Sequence, residues 1–248
     1  MTEQLVIDVS KWQGVINWQL VKDSGVYGVM LRAGYGSGNV DPQFARNAKE
    51  CNRLGIPIGV YWFSYASSPD MAETEAAYCL GAIMPYKIDL PVAFDWEYDS
   101  YTRAVKNGVT PTPALTVAMA KRFLAKIENA GYVPMLYTNI DYRVRFFRTI
   151  DFPGIDIWLA AYRSTKPDGT FAMWQYSDNG TIPGITGNVD MNRLYVDYLT
   201  KPEPDKEDYS ALVCDRVKLS DATKAYINGY KYAGDLWRKL WDALNNIS

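Results

Sequence analysis

Apolar residues in this chain fall into short runs that alternate with stretches of helical spacing, and the alternation covers most of the sequence. Strand-like runs occupy Leu5–Val9, Gly28–Ala33, Pro57–Phe63, Pro91–Trp96, Val133–Tyr137, Ile155–Ala160 and Phe171–Tyr176, with a shorter one near Asn188–Met191. Helices are predicted between them. One runs from Pro42 to Leu54 and stops at Gly55; one starts at an Asp70 cap and ends at Ala82. A third follows Thr112, with Pro113 in its first turn and Val117, Ala120, Phe123, Leu124 and Ile127 on one face, up to Gly131. Eight strands with crossover helices are the number that closes a barrel, so the expected fold class is α/β, an irregular (β/α)8 TIM-like barrel. Helices thin out in its second half, where Pro167-Asp168-Gly169 reads as a tight turn that leaves little room for one between the sixth and seventh strands.

The pattern breaks at Thr200–Asp208, a charged, proline-containing run without apolar periodicity. Beyond it, Tyr226, Tyr230, Ala233, Trp237, Leu240, Trp241 and Leu244 recur at helical spacing after a Ser220-Asp221 start signal. This organisation sets a barrel over residues 1–200, a linker over 201–209 and a small helical C-terminal segment over 210–248. Some forty residues make a weak core alone. The segment is therefore expected to dock onto the barrel, onto a copy of itself in self-association, or onto an external ligand.

Composition narrows the chemistry. The 248 residues contain no histidine, which removes Ser-His-Asp triads, Cys-His pairs and His-based zinc helices and leaves carboxylates as the leading proton carriers. Net charge is −2, with 26 basic and 28 acidic residues interspersed, so nucleic acid is not an expected partner. No stretch approaches the ~18 apolar residues of a membrane span, and no membrane insertion is expected. Cys51, Cys79 and Cys214 form no disulfide framework and read as reduced and mostly buried. Met1-Thr2-Glu3-Gln4 runs straight into the first strand without a signal-peptide pattern, which predicts synthesis in a cytoplasm and release by some other agent.

The candidate chemistry lies where the fourth strand ends, in Phe94-Asp95-Trp96-Glu97. Alternate residues of a strand face the same way, so Asp95 and Glu97 share one side. Two such acids in a cleft divide into a proton holder and a charged partner, the raw material of glycoside hydrolysis. Active-site groups of a barrel project from the C-terminal ends of its strands, and Asp8 in the first and Asp190 in the last occupy such positions, brought close by barrel closure. Aromatic residues interleave with these acids at the rim: Trp12, Tyr61, Phe63, Tyr137, Tyr162 and the Trp174-Gln175-Tyr176 run. Rings beside paired carboxylates describe a saccharide groove. The plain alternatives are solvated loop acids, core aromatics, and an ion pair of the two acids with Arg32. Gly34-Tyr35-Gly36-Ser37-Gly38-Asn39 lacks the third glycine of a dinucleotide loop, and with no calcium loop or P-loop present, neither cofactor nor metal is expected.

Seven blocks in order, Ile7-Asp8-Val9-Ser10-Lys11-Trp12-Gln13-Gly14, Gly59-Val60-Tyr61-Trp62-Phe63, Phe94-Asp95-Trp96-Glu97, Leu136-Tyr137-Thr138-Asn139, Ile157-Trp158-Leu159-Ala160, Met173-Trp174-Gln175-Tyr176 and Val189-Asp190-Met191-Asn192, resemble the Chalaropsis-type lysozymes, family 25 of the glycoside hydrolases. The resemblance covers about residues 5 to 198. It implies a muramidase that cuts the β-1,4 bond between N-acetylmuramic acid and N-acetylglucosamine in peptidoglycan glycan strands. Glu97 would be the general acid, and Asp95 would assist the substrate's acetamido group. Asp8 and Asp190 would line the groove with Arg32, Tyr61, Phe63, Tyr137, Tyr162, Trp174 and Gln175. Such an enzyme acts on the bacterial cell wall, released as a phage-type endolysin or secreted with its leader removed. A chitinase-like glycosidase is the alternative within hydrolases, weakened because Leu90 and Ala93 stand where that family's D-x-x-D-x-D-x-E strand has acids. A non-catalytic carbohydrate-binding barrel is the alternative from another class.

Overall fold

The computed structural model describes residues 3–199 together with Val217, Ser220, Thr223, Lys224, Ile227 and Leu240. The chain divides into two compact units, Met1–Leu199 and Thr200–Ser248. Among the described residues the first unit contains β1 (Gln4–Val9), β2 (Gly28–Tyr35), β3 (Asn39–Val40), β4 (Ile58–Phe63), β5 (Val92–Asp95), β6 (Pro134–Asn139), β7 (Asp156–Ala160), β8 (Met173–Gly180) and β9 (Val189–Leu194). Its helices are α1 (Trp18–Asp23), α2 (Phe44–Leu54), α3 (Pro69–Ile83), α4 (Tyr98–Lys106), α5 (Pro113–Asn129) and α6 (Ile140–Arg145). In the second unit Val217, Thr223, Lys224, Ile227 and Leu240 are helical, and Ser220 Oγ accepts the Thr223 amide at 3.2 Å. The rest of the expected linker and helical segment lies outside the described residues.

Strands run in the order β1-β9-β8-β7-β6-β5-β4-β2, and pairing of β1 with β2 closes the ring; the short β3 hangs on the outer end of β2. All eight expected strands are present, so the barrel was legible in the pattern. One of them departs from a parallel barrel: β9 lies antiparallel to both β8 and β1. Only residues 181–188 join β8 to β9, which is hairpin length, whereas a parallel crossover needs about a dozen residues or more. The link from β7 to β8, residues 161–172, reaches that length and keeps the pair parallel without a helix.

Side-chain parity builds two cores. Val6, Met30, Ala93, Met135, Trp158, Met173 and Leu194 point into the barrel, while Ile7, Leu31, Val60, Phe94, Leu136, Leu159 and Trp174 point outward against the helices. Gly59 faces the interior between Met30 and Leu90, where an added Cβ would stand 2.9 Å from Leu90 Cβ. Helix ends follow capping chemistry. Thr112 Oγ1 accepts the Leu115 amide and Gly55 adopts φ 70° to end α2. The cap of α3 is Ser68 rather than Asp70: Ser68 Oγ accepts the Met71 amide at 3.2 Å, and Pro69 occupies the first turn.

Candidate active site

At the C-terminal mouth of the barrel an acidic cleft of about 210 Å³ opens, and Asp8, Arg32, Tyr61, Phe63, Asp95, Tyr137, Trp158, Gln175 and Asp190 reach it from the inward-facing positions of their strands. Of the residues anticipated from the sequence, Asp8, Arg32, Tyr61, Phe63, Asp95, Glu97, Tyr137, Tyr162, Gln175 and Asp190 line it together. Trp174 does not. Because Gln175 on β8 points inward, its neighbour must point outward; Trp174 is 2% exposed in the outer core, and its Nε1 donates to the Ala161 carbonyl at 2.8 Å. Ser10, Gln13 and Trp158 also line the cleft and were not singled out as site residues. Parity on β7 would have found Trp158, since Ala160 shares its face.

Asp95 is the last residue of β5, and Glu97 caps α4 rather than continuing the strand. The expected juxtaposition survives because Glu97 remains extended, φ −126° and ψ −167°, so parity holds for one more step. The intervening Trp96 is fully buried on the opposite side and donates from Nε1 to the Ala66 carbonyl at 3.2 Å. The Glu97 amide donates to Ser100 Oγ at 3.1 Å, and the Asp95 carbonyl accepts the Ser64 amide at 2.7 Å. This segment is therefore held from both flanks.

Electrostatics set the protonation. Burial, then repulsion from Glu97 and Asp8, raises the Asp95 carboxyl well above the usual carboxylate range. Burial lifts Glu97 to about 7, against the partial relief of a hydrogen bond with Asp95. The pair thus retains a proton near neutral pH. Asp95 Oδ1 is buried and has no hydrogen-bond partner among the described residues. Arg32 does not neutralise the pair directly: its Nη2 and Nε engage Asp41 Oδ2 at 2.7 and 2.8 Å. Asp41 is in turn fixed by the amides of Lys11 and Gln43.

Across the cleft Asp8 and Asp190 sit directly opposite one another in the β1–β9 ladder. A chain of donors converges on Asp8. Tyr137 and Tyr162 hydroxyls donate to Gln175 Oε1 at 2.8 and 3.2 Å, and Gln175 Nε2 donates to Asp8 Oδ2 at 3.0 Å. Trp158 Nε1 donates to Asn192 Oδ1, whose Nδ2 donates to the same Asp8 oxygen at 2.8 Å. Burial and Asp190 nevertheless raise the Asp8 carboxyl, and burial raises Asp190. Two carboxyl pairs therefore face one another, each reluctant to ionise fully. Among the described residues no group of three or more His, Cys, Asp or Glu side chains is arranged to hold a metal ion.

The family profile that matches this sequence, over residues 7–185, is that of glycosyl hydrolases family 25. The chain belongs to that family. Lysozyme M1 of Streptomyces globisporus is 29% identical over 199 residues, covering 76% of this chain and 66% of the relative. The modular autolysin LytC of Streptococcus pneumoniae superposes with a TM-score of 0.68 at 31% identity over 78% of this chain. A family 25 glycosyl hydrolase of Bacillus anthracis gives 0.67 at 25% identity, over 79% of this chain and 90% of the other. The chain spans about half of LytC, 47% of its length. The cleft gathers paired carboxyls, hydrogen-bond donors and aromatic rings at the C-terminal strand ends, where barrel enzymes carry their chemistry. No helix of the described residues is long and apolar enough to cross a membrane.

Proposed function

We propose that the barrel is an N-acetylmuramidase, cleaving the β-1,4 bond between N-acetylmuramic acid and N-acetylglucosamine in bacterial peptidoglycan. The observation that supports the reading is the Asp95/Glu97 pair, Asp95 buried and Glu97 half-buried beside it in the cleft, both carboxyls raised above the usual range so that the pair holds a proton near neutral pH. Glu97 donates its proton to the glycosidic oxygen as that bond breaks, and the leaving sugar departs as an alcohol. The substrate's acetamido oxygen closes on the anomeric carbon while Asp95 accepts the acetamido N–H through its unpartnered Oδ1, and water then opens the ring so formed. Asp8 and Asp190, with Gln175 and Tyr137, hold the sugar that carries this acetamido group. Tyr61, Phe63 and Tyr162 supply ring surface beside it. In this reading residues 1–200 are catalytic, and the helical segment of 210–248, after a linker, is an attachment that binds the wall or a second copy.

The test is digestion of purified peptidoglycan followed by borohydride reduction and mass analysis of the fragments. New reducing ends are expected on muramic acid; ends on glucosamine, or preferential cutting of chitin oligomers, would replace the reading with a glucosaminidase or a chitinase. Absence of any fragment from protein that still binds walls would favour a carbohydrate-binding barrel.

A further inference from the structure

Among the described residues Arg32 is the one cation that lines the acidic cleft, yet it is held by a side chain outside it. Asp41 follows β3, is 2% exposed, and is fixed by the backbone of three segments. Its amide donates to the Ala33 carbonyl of β2 at 3.0 Å, and its Oδ1 accepts the Gln43 amide at 2.9 Å. Its Oδ2 accepts the Lys11 amide, just after β1, at 3.0 Å together with Arg32 Nε at 2.8 Å.

That grip uses a single carboxylate oxygen. Arg32 Nη2 stands 2.7 Å from Oδ2 as an ion pair but makes no aligned hydrogen bond, and it is buried. On the other side of β4, Asp95 Oδ1 is buried and equally without a partner among the described residues. A buried N–H and a buried carboxyl oxygen left unpaired each cost free energy, and they are complementary. Only β4 lies between β2 and β5, so about 10 Å of sheet, two strand spacings, separates the two residues.

We propose that Asp41 is a positioning residue for the reaction: it tethers the Arg32 guanidinium at the edge of the cleft, so that Asp95 and Glu97 meet the glycan without a neutralising cation. The inference rests on the muramidase reading and deepens it, by naming what keeps positive charge off the acid pair. The surroundings make the tether decisive. Facing the pair are Asp8 and Asp190 from β1 and β9, Asp99 from α4, and the hydroxyls of Tyr61, Tyr137 and Tyr162. None of these supplies positive charge, and the Lys11 ammonium lies over the Trp12 ring at 4.6 Å. Tethered, Arg32 acts on Asp95 less than burial, Glu97 and Asp8 do. An ion pair presents little net charge at a distance, whereas a lone guanidinium about 10 Å away changes the proton affinity of a half-buried carboxyl about tenfold. Released from Asp41, Arg32 would favour the ionised pair and leave Glu97 without the proton it must donate.

The experiment reads the alkaline pH at which kcat on purified peptidoglycan falls to half. In Asp41→Asn that pH is expected about one unit lower, the tenfold loss of proton affinity that a freed guanidinium produces. With Arg32→Met added it is expected to return to within about 0.3 unit of wild type, because no pair and a tethered pair place the same net charge beside the acids. A merely structural role for Asp41 lowers kcat and leaves the half-point where it was. The control Asp70→Asn, which breaks an exposed pair with Arg122, leaves it in place as well. An unmoved half-point in Asp41→Asn overturns the proposal, as does a shift that persists when Arg32 is gone. If Asp41→Asn does not fold, the double variant, which leaves no buried charge unpaired, decides alone. A half-point displaced by about one unit in that variant would show that the guanidinium acts on the acids despite its tether, and would overturn the proposal. Wild-type protein without activity on peptidoglycan would overturn the muramidase reading itself, a result distinguishable from an unmoved half-point.

Discussion

Replacing Glu97 by Gln removes one titrating carboxyl from the cleft while keeping its size, and the consequences for activity and stability have opposite signs. Loss of a general acid lowers turnover by about 10²- to 10⁴-fold. For stability the sign follows from linkage. A carboxyl raised from 4.5 to about 7 by burial is, in the folded protein, a better proton holder than in the unfolded chain. Its contribution is fully present below pH 4.5 and is lost as pH rises through 7. At about 1.4 kcal/mol per pH unit the shift corresponds to at most about 3.5 kcal/mol, and solvent access to the half-buried side chain reduces that to roughly 1–3 kcal/mol. Glutamine does not titrate. The stability difference, variant minus wild type, is therefore expected to be 1–3 kcal/mol more favourable to the variant at pH 9 than at pH 4. Chemical denaturation followed by tryptophan fluorescence at both pH values measures it, since six of the eight tryptophans lie before residue 200. Equal differences at the two pH values would refute the claim that burial holds a proton on Glu97, and with it the account of the acid. A larger difference at pH 4 would reverse the sign and do the same.

Other substitutions separate roles that the sequence ran together. Trp174→Ala is expected to cost about 3–5 kcal/mol of stability with KM unchanged, because the ring packs in the outer core, whereas Tyr162→Ala raises KM with little loss of stability; thermal melts and steady-state kinetics distinguish them. Gln175→Leu strips Asp8 of one donor and leaves the Tyr137 hydroxyl without its acceptor, for a cost of about 1–3 kcal/mol and a higher KM, read by the same two assays. Wild-type kcat should fall as pH rises through about 7, where Glu97 loses its proton, and a rate that climbs through that range would contradict the assignment. Glu75→Ala leaves the partly buried Tyr65 amide without its acceptor, and is expected to cost about 1–3 kcal/mol in denaturant titrations.

The barrel was readable because its strands are short apolar runs and its long helices carry conventional caps. What escaped was short or capped by an unusual residue. Helix α4 is capped by Glu97, outside the usual capping set, and α1 and α6 have six residues each, too few for a periodic signal. The antiparallel course of β9 followed from the eight residues before it, a loop length visible in the sequence once both strand ends are known. At the site, strand parity places Asp8, Asp95 and Asp190 on the inner face, and the same parity turns Trp174, next to the inward Gln175, into the outer core. The linking of Tyr137, Gln175, Asp8, Asn192 and Trp158 joins five strands, and no local pattern announces a chain of that kind.

The distribution of charge connects these details to the reaction. Four carboxyl groups share the cleft floor, and the one guanidinium that lines it is bound to Asp41. Such a surplus of acid destabilises the empty site, as the raised carboxyls show, and a purely structural cleft would gain by losing it. The surplus becomes useful when positive charge develops at the anomeric carbon and spreads into the acetamido ring. Carboxyls already fixed by Gln175, Asn192 and the strand ends meet that charge without reorganising. In the proposed reaction, proton transfer from Glu97 would leave the glutamate negative at the moment the sugar turns positive, converting repulsion in the resting state into attraction in the transition state.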